Sequence, residues 1–234
     1  MSVHQARELA QTLCDTTELV LLPIIPAWTQ RYSRKRAAKY PRPAIRVGGG
    51  RATHHRFDLH SGEHSITFGA KMVADKLDPR ACASWLSTRE ILARGYFDGR
   101  VSAANLLAHT GCHEFAHLVQ TVSGGRTRGS VHNSAFYRIL DDLHRDGIAD
   151  GFRQSLLELA RNRGQMIPDA SVQIADPREA LASFKPGDVV CFGRNNELQG
   201  KVTRVNRKTC SVQGTGPCEG RRYRVSPQAL TPLS

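Results

Sequence analysis

Two histidines four residues apart, with a glutamate directly after the first, constrain this chain more than any other stretch. His113-Glu114-Phe115-Ala116-His117 reads HExxH. On an α-helix, residues i and i+4 stand one above the other on a single face. Both imidazoles therefore reach one ion from adjacent turns. Glu114, turned about 100° round the axis, sits beside that ion without needing to bind it. Zinc chemistry uses this arrangement, with water acidified by the metal and a carboxylate that takes its proton. Alone, the motif is a weak signal: random order of this composition yields it in roughly one or two chains per hundred. Its setting strengthens it. Residues 101–122 contain no proline and offer Leu106, Leu107, Phe115, Leu118, Val119 and Val122 to an apolar face. Gly124-Gly125 then supplies a stop. A helix this apolar is expected to be buried, and burying two histidines and a glutamate without a ligand is costly.

A zinc ion with an open position takes three protein ligands. The extended pattern HExxHxxGxxH is absent, because Gln120 and Ser123 stand where its Gly and His belong. Downstream, the candidates are His132, Asp141, Asp142, His144 and Glu158. His132 leads: a glycine-rich loop lets the chain reverse after the motif helix, and His132 opens the next helical stretch. Asp141 or Asp142 is the alternative. His109 extends the histidine stripe by one turn and reads as a polar helix residue, with a supporting role at the site as the other reading. Tyr137 reads as a core aromatic that could also donate to a tetrahedral intermediate, and Cys112 as packing.

The charge of +12, with a pI near 9.9, favours an anionic partner, of which nucleic acid is the commonest. A soluble basic enzyme without such a partner is the plainer alternative. Arg31, Arg34, Lys35, Arg36, Lys39, Arg42 and Arg46 form a run without acids, interleaved with Tyr32 and Tyr40 and preceded by Trp28. Such a run suits a single-strand track and equally a solvated face. Residues 184–234 hold nine basic residues against three acidic ones. The six cysteines are scattered and form no CxxC pair, which suits the reduced thiols of a cytosol and argues against a zinc ribbon. The apolar stretch 19–28 is interrupted by Pro23 and Pro26 and is too short to span a bilayer. A soluble, cytoplasmic chain is expected.

Along the chain, helix is expected over 3–13, with a connection or short helix over 16–26. Strands follow over 51–59 and 64–68, joined at Ser61-Gly62. His54, His55, His60 and His64 crowd this hairpin and read as exposed residues rather than a second metal site. Ser87 and Glu90 stand at capping-box spacing for a helix over 87–94. Further helices are expected from Asn133 and over 152–160, and then four short strands over 188–192, 198–205, 209–212 and 221–225. The expected organisation is a helical and basic segment over 1–47, a core over 48–162, a linker over 163–183 and a small all-β module over 184–234. The fold class is α+β.

HEFAHLVQ, a variable loop and then HNSAFYRIL together resemble the SprT-like zinc metallopeptidases, in which HExxH is followed by a histidine with an aromatic about four residues later. The hairpin RATHHRFDLH…SITFG is similar to the strand pair that precedes the helix in that family. The resemblance covers residues 48–160. It implies a zincin-like core of a small sheet plus active-site helices, a Zn2+ ion held by His113, His117 and His132, and Glu114 as general base. Many members end in a zinc ribbon; here FKPGDVVCF…GKVTRVN…YRVSP resembles an SH3-like or KOW-type barrel instead. The expected function is a zinc peptidase acting on nucleic-acid-associated proteins, with DNA ahead of RNA. Expected nucleic-acid contacts are Arg31, Arg34, Lys35, Arg36, Lys39, Arg204, Arg207 and Lys208. Two other readings remain: a zinc-stabilised nucleic-acid-binding module without proteolysis, and a small-molecule metallohydrolase.

Overall fold

The computed structural model describes residues 1–33, 42–126, 129–174, 177–193 and 196–233. The first helix, α1 (Val3–Thr16), begins where two side chains cap each other. The Gln5 amide donates to the Ser2 hydroxyl (3.1 Å) and the Ser2 amide to Gln5 Oε1 (2.9 Å), which satisfies donors that a helix start leaves open. Ala6, Leu9, Ala10, Leu13 and Cys14 form its buried stripe. A π-helical turn (Thr17–Leu21) and a 3-10 turn (Leu22–Ile24) lead into α2 (Ile25–Tyr32). Pro23 and Pro26 each fall at the start of a helical segment, where no intrahelical donor is lost.

Three strands follow: β1 (Ala44–Gly48), β2 (His54–Phe57) and β3 (His64–Gly69). Their order is β1-β3-β2, with β1 parallel and β2 antiparallel to β3. The β2–β3 turn is built by Asp58, whose Oδ1 accepts from the amides of His60 (2.9 Å) and Ser61 (3.1 Å), with Gly62 at φ +71°. β1 is an addition to the expected hairpin. Its alternation is hidden at the end of the basic run, where charge rather than periodicity dominates the sequence.

Helices α3 (Ala70–Leu77), α4 (Pro79–Cys82), α5 (Leu86–Arg94), α6 (Ala103–Val122), α7 (Ser134–Arg145) and α8 (Ile148–Asn162) come next. The HExxH helix, α6, is central: it packs on α2, α3, α7, α8 and β2, and Ser102 caps its start by accepting from the Asn105 amide (3.1 Å). Its burial on nearly every side explains an apolar content too high for a surface helix. At Gly111 a Cβ would stand 2.6 Å from the Phe152 ring, so the glycine is what lets α8 approach so closely.

Met1–Asp78 and Glu90–Ser171 form one compact unit, and Pro79–Arg89 with Val172–Ser234 form a second. The expected boundaries shift accordingly. The N-terminal helix is no separate segment, because the apolar stripe of α1 is covered by α3 and α8. In the second unit, α9 (Pro177–Ala182) lies inside the expected linker, and its Leu181 belongs to the core.

That core lies under one face of a five-stranded sheet, made of β4 (Val189–Phe192), β5 (Leu198–Val205), β6 (Cys210–Gly214), β7 (Arg222–Val225) and β8 (Thr231–Pro232). All pairings are antiparallel, in the order β7-β6-β5-β4-β8. Val190, Phe192, Val202, Cys210 and Val212 point into the core with Phe184 and Leu230. Among the described residues β7 and β8 are free edges, so the sheet is open where a closed barrel was expected. Among the described residues two-residue β8 pairs with β4 and not with β7. Both units taken together are mixed α+β. Among the described residues no helix is long and apolar enough to cross a membrane.

Candidate metal centre

Three ring nitrogens converge beside α6. His113 Nε2 and His117 Nε2 are 3.2 Å apart, and each lies 3.1 Å from His132 Nε2. The first two come from adjacent turns of α6. His132 comes from the loop before α7, and is the one downstream candidate of the five that reaches them. A tetrahedral ion with nitrogen ligands at about 2.0–2.1 Å sets their separation at about 3.3 Å, close to this triangle. No arrangement of protons satisfies the three nitrogens equally, since a proton shared by two leaves the third lone pair facing them. A cation serves all three, so the donor set fits a metal. All three histidines are half-buried, so the triangle is not sealed from solvent.

The loop holding His132 is anchored by Gln120. Its Nε2 donates to the Val131 carbonyl (3.0 Å) and to Asn133 Oδ1 (2.9 Å), on either side of His132. Asn133 Oδ1 also caps α7 by accepting from the Phe136 amide (3.1 Å). Phe136, fully buried, stacks on His117 (centroids 4.3 Å apart) and packs against His113 and His132 at 4.9 Å. One residue thus restricts the planes of all three ligand rings.

Glu114 is 5 % exposed and held from the sheet. Among the described residues β2 is an edge strand whose outward amides lack a strand partner, and the His55 N–H donates to Glu114 Oε2 at 2.7 Å. Oε1 makes no hydrogen bond among the described residues. Burial raises the pKa of Glu114, against the lowering effect of His113 and of the His55 amide. Burial likewise pushes His117 down to about 3 and lowers His132, with neighbouring histidines adding to both shifts. These rings stay neutral near pH 7, the form in which histidine binds metal.

Glu90 supports the site from α5, and the sequence did not mark it. Expected at a capping-box position, it is instead 4 % exposed and faces α6. Its Oε2 accepts from His113 Nδ1 (3.0 Å) and His109 Nε2 (2.9 Å), and its Oε1 from the Tyr137 hydroxyl (3.1 Å). Burial works to raise its pKa, but the hydrogen bonds from His109 and His113 outweigh it and hold the carboxyl below its usual range. His109, fully buried, is therefore no idle polar residue. Its Nε2 donates to Glu90, so its Nδ1 accepts from His144 Nε2 at 3.0 Å. His144 stacks on Tyr96 with centroids 3.8 Å apart. The same pattern puts the His113 proton on Nδ1 and leaves its Nε2 lone pair for the metal. Glu90, His109 and His113 also form a group whose ligand atoms lie close enough to hold an ion, although three donated hydrogen bonds already account for the carboxylate.

Two of the remaining candidates have other partners. Asp141 is bound by Arg94 and Tyr96, and Asp142 by Tyr32, Arg31 and Arg145. Glu158 is exposed on α8. Tyr137 directs its hydroxyl to Glu90. In the β2–β3 hairpin, His55 Nε2 lies 2.9 Å from His64 Nδ1, and no third ligand joins them among the described residues. Cys112 is buried, and burial raises its thiol pKa.

Of the expected nucleic-acid contacts, Arg34, Lys35, Arg36 and Lys39 lie outside the described residues. Arg31 is occupied within its own unit by Asp142 and Asp146. Arg204 is exposed on β5, and Arg207 and Lys208 are exposed in the β5–β6 turn. Compared with known proteins, the chain matches no family model, no curated protein and no solved structure.

Proposed function

We propose that this chain is a zinc-dependent peptidase of the SprT-like kind, acting on proteins associated with nucleic acid. The observation that carries the reading is the His113–His117–His132 triangle with the buried carboxylate of Glu114 beside it. A purely structural ion has no use for that carboxylate, which favours hydrolysis over a zinc-stabilised binding module. When bound, a zinc ion would supply Lewis acidity, making water a stronger acid and a carbonyl a better electrophile.

The chain's own residues supply the rest. His113, His117 and His132 bind, with ring planes set by Phe136 and, for His113, by Glu90. Glu114 Oε1 takes a proton from water and returns it to the leaving amine nitrogen, while the His55 amide fixes Oε2. Its raised pKa suits both halves of that transfer. Edge strand β2, tied to α6 through the His55–Glu114 bond, supports a zincin-like description of this unit. The short antiparallel meander of the second unit supports an SH3-like description. The excess of positive charge supports a nucleic-acid partner, with DNA ahead of RNA.

The test is cleavage of a basic DNA-binding protein by the purified zinc-loaded chain, with and without DNA, beside Glu114→Gln. Cleavage that requires Glu114 establishes the peptidase, and stimulation by DNA establishes the targeting. A full zinc complement with no cleavage under either condition would favour the binding module.

A further inference from the structure

The outward face of the five-stranded sheet carries cations that the metal centre does not use. Val202, Cys210, Val212 and Tyr223 turn to the core, so their strand neighbours turn away from it. Register sets these in two rows across β5, β6 and β7: Lys201–Gln213–Arg222 and Arg204–Ser211–Arg224. Arg204 would face the core by simple alternation from Val202. A bulge between them brings it opposite Ser211, on the outer face. Lys201, Arg204, Arg222 and Arg224 are all exposed. No acidic residue occurs in β5, β6 or β7. Among the described residues none of the four cations is ion-paired; Arg222 Nε donates to Gln213 Oε1 at 3.3 Å. A shallow depression of about 460 Å³ runs between Arg204, Arg222 and Arg224.

We propose that this face docks on the phosphodiester backbone of a nucleic-acid duplex, without regard to base sequence. Three of its four cations are arginines, whose planar forks take two phosphate oxygens at once. Same-face neighbours on one strand stand about 6.8 Å apart, and residues two strands apart about 9.6 Å, which spreads the charges over several phosphates. Ser211 and Gln213 add neutral donors of the kind that fix a protein on a backbone. The face lacks stacking platforms: Tyr223, the aromatic of these strands, packs edge-on against Phe192 with centroids 4.9 Å apart. That disfavours the single-strand mode, which relies on base stacking. The outer rows of β5–β7 also lack the apolar side chains that insert into a membrane surface. The assignment deepens the nucleic-acid half of the function proposed above and stands apart from peptide hydrolysis.

The full chain carrying Glu114→Gln, which keeps hydrolysis out of the measurement, is titrated into a fluorescent 20-base-pair duplex over a series of salt concentrations. Adding R204Q/R222Q/R224Q is expected to weaken binding about tenfold or more at moderate salt and to make the plot of log K against log salt shallower by about 2.7, at about 0.9 per phosphate contact. A control removing three exposed charges elsewhere, R7Q/K71Q/R161Q, is expected to keep the slope. Should the triple variant not fold, the single changes Arg222→Gln and Arg224→Gln are each expected to lower the slope by about 0.9. Equal losses in triple variant and control, or no binding to the duplex, would overturn the proposal. So would binding to single strands or to anionic vesicles as tight as to the duplex.

Discussion

Glu90 Oε2 and His113 Nδ1 lie 3.0 Å apart, joining a carboxylate on α5 to the first histidine of the HExxH helix. This bond selects the His113 tautomer and aims its Nε2 at the triangle. Glu90→Ala would remove it and leave two N–H groups, on fully buried His109 and half-buried His113, without an acceptor. Zinc affinity is expected to fall about 10- to 100-fold, read by competition with a chromophoric chelator. Unchanged affinity in a folded variant would show that the triangle holds without Glu90.

Glu114 touches no ligand ring directly in the hydrogen-bond pattern, so Glu114→Gln is expected to keep the metal. Loss of a general base costs about 10²- to 10⁴-fold in rate. The check is kcat on a peptide substrate together with zinc content by elemental analysis. A parallel loss of zinc would assign Glu114 to binding instead.

Gln120 stands where the longer metalloprotease pattern has glycine, and here it clamps the loop on both sides of His132. Gln120→Ala is expected to cost about 1–3 kcal/mol of stability, since the Val131 carbonyl and Asn133 lose a partly buried donor. Zinc affinity should fall with it, although no ligand changes. Chemical denaturation of the apoprotein and chelator competition measure the two effects separately.

Burial pushes His55 and His144 each down to about 3, and burial takes His109 to about 4 against the opposing pull of Glu90. Unfolded, each would take a proton near pH 6.5. Between these values the unfolded chain binds more protons, so stability rises with pH there and falls on acidification. Above pH 6.5 these groups add no pH dependence. Each contributes a slope of up to about 1.4 kcal/mol per pH unit. Denaturant unfolding of the metal-free chain from pH 7 to pH 4.5 is expected to show the decline, and His144→Phe, which keeps an aromatic against Tyr96, a shallower one.

Gly111 leaves room for the Phe152 ring, where an added Cβ would stand 2.6 Å away. Gly111→Ala is expected to destabilise by about 1–3 kcal/mol through overpacking, partly offset by about 1 kcal/mol of better helix propensity. The melting temperature of the variant checks this, and a rise would show that α8 can move away freely.

The local periodicities were written in the chain. The i, i+4 pairing of His113 and His117 needed only a helix. The β2–β3 hairpin followed from strand character on either side of the Ser61-Gly62 turn, and most of α1 from the helix-like stretch 3–13. His132 was legible as the leading candidate because a reversing loop brings it back to the helix it left. Those features depend on neighbours within a few turns of chain. Glu90 was not legible: it lies 23 residues before His113, and its spacing from Ser87 matched a capping box equally well. Only its long-range hydrogen bonds to His109 and His113 on α6 turned it inward, and the same bonds made His109 a partner rather than an idle polar residue. β1 joined the sheet through a parallel pairing with β3, which no local pattern announces. In the second unit a single bulge moved Arg204 onto the outer face with Arg222 and Arg224. Sequence by itself determined which residues could share a face; the tertiary structure decided what each face met, because burial and register are set by contacts far apart along the chain.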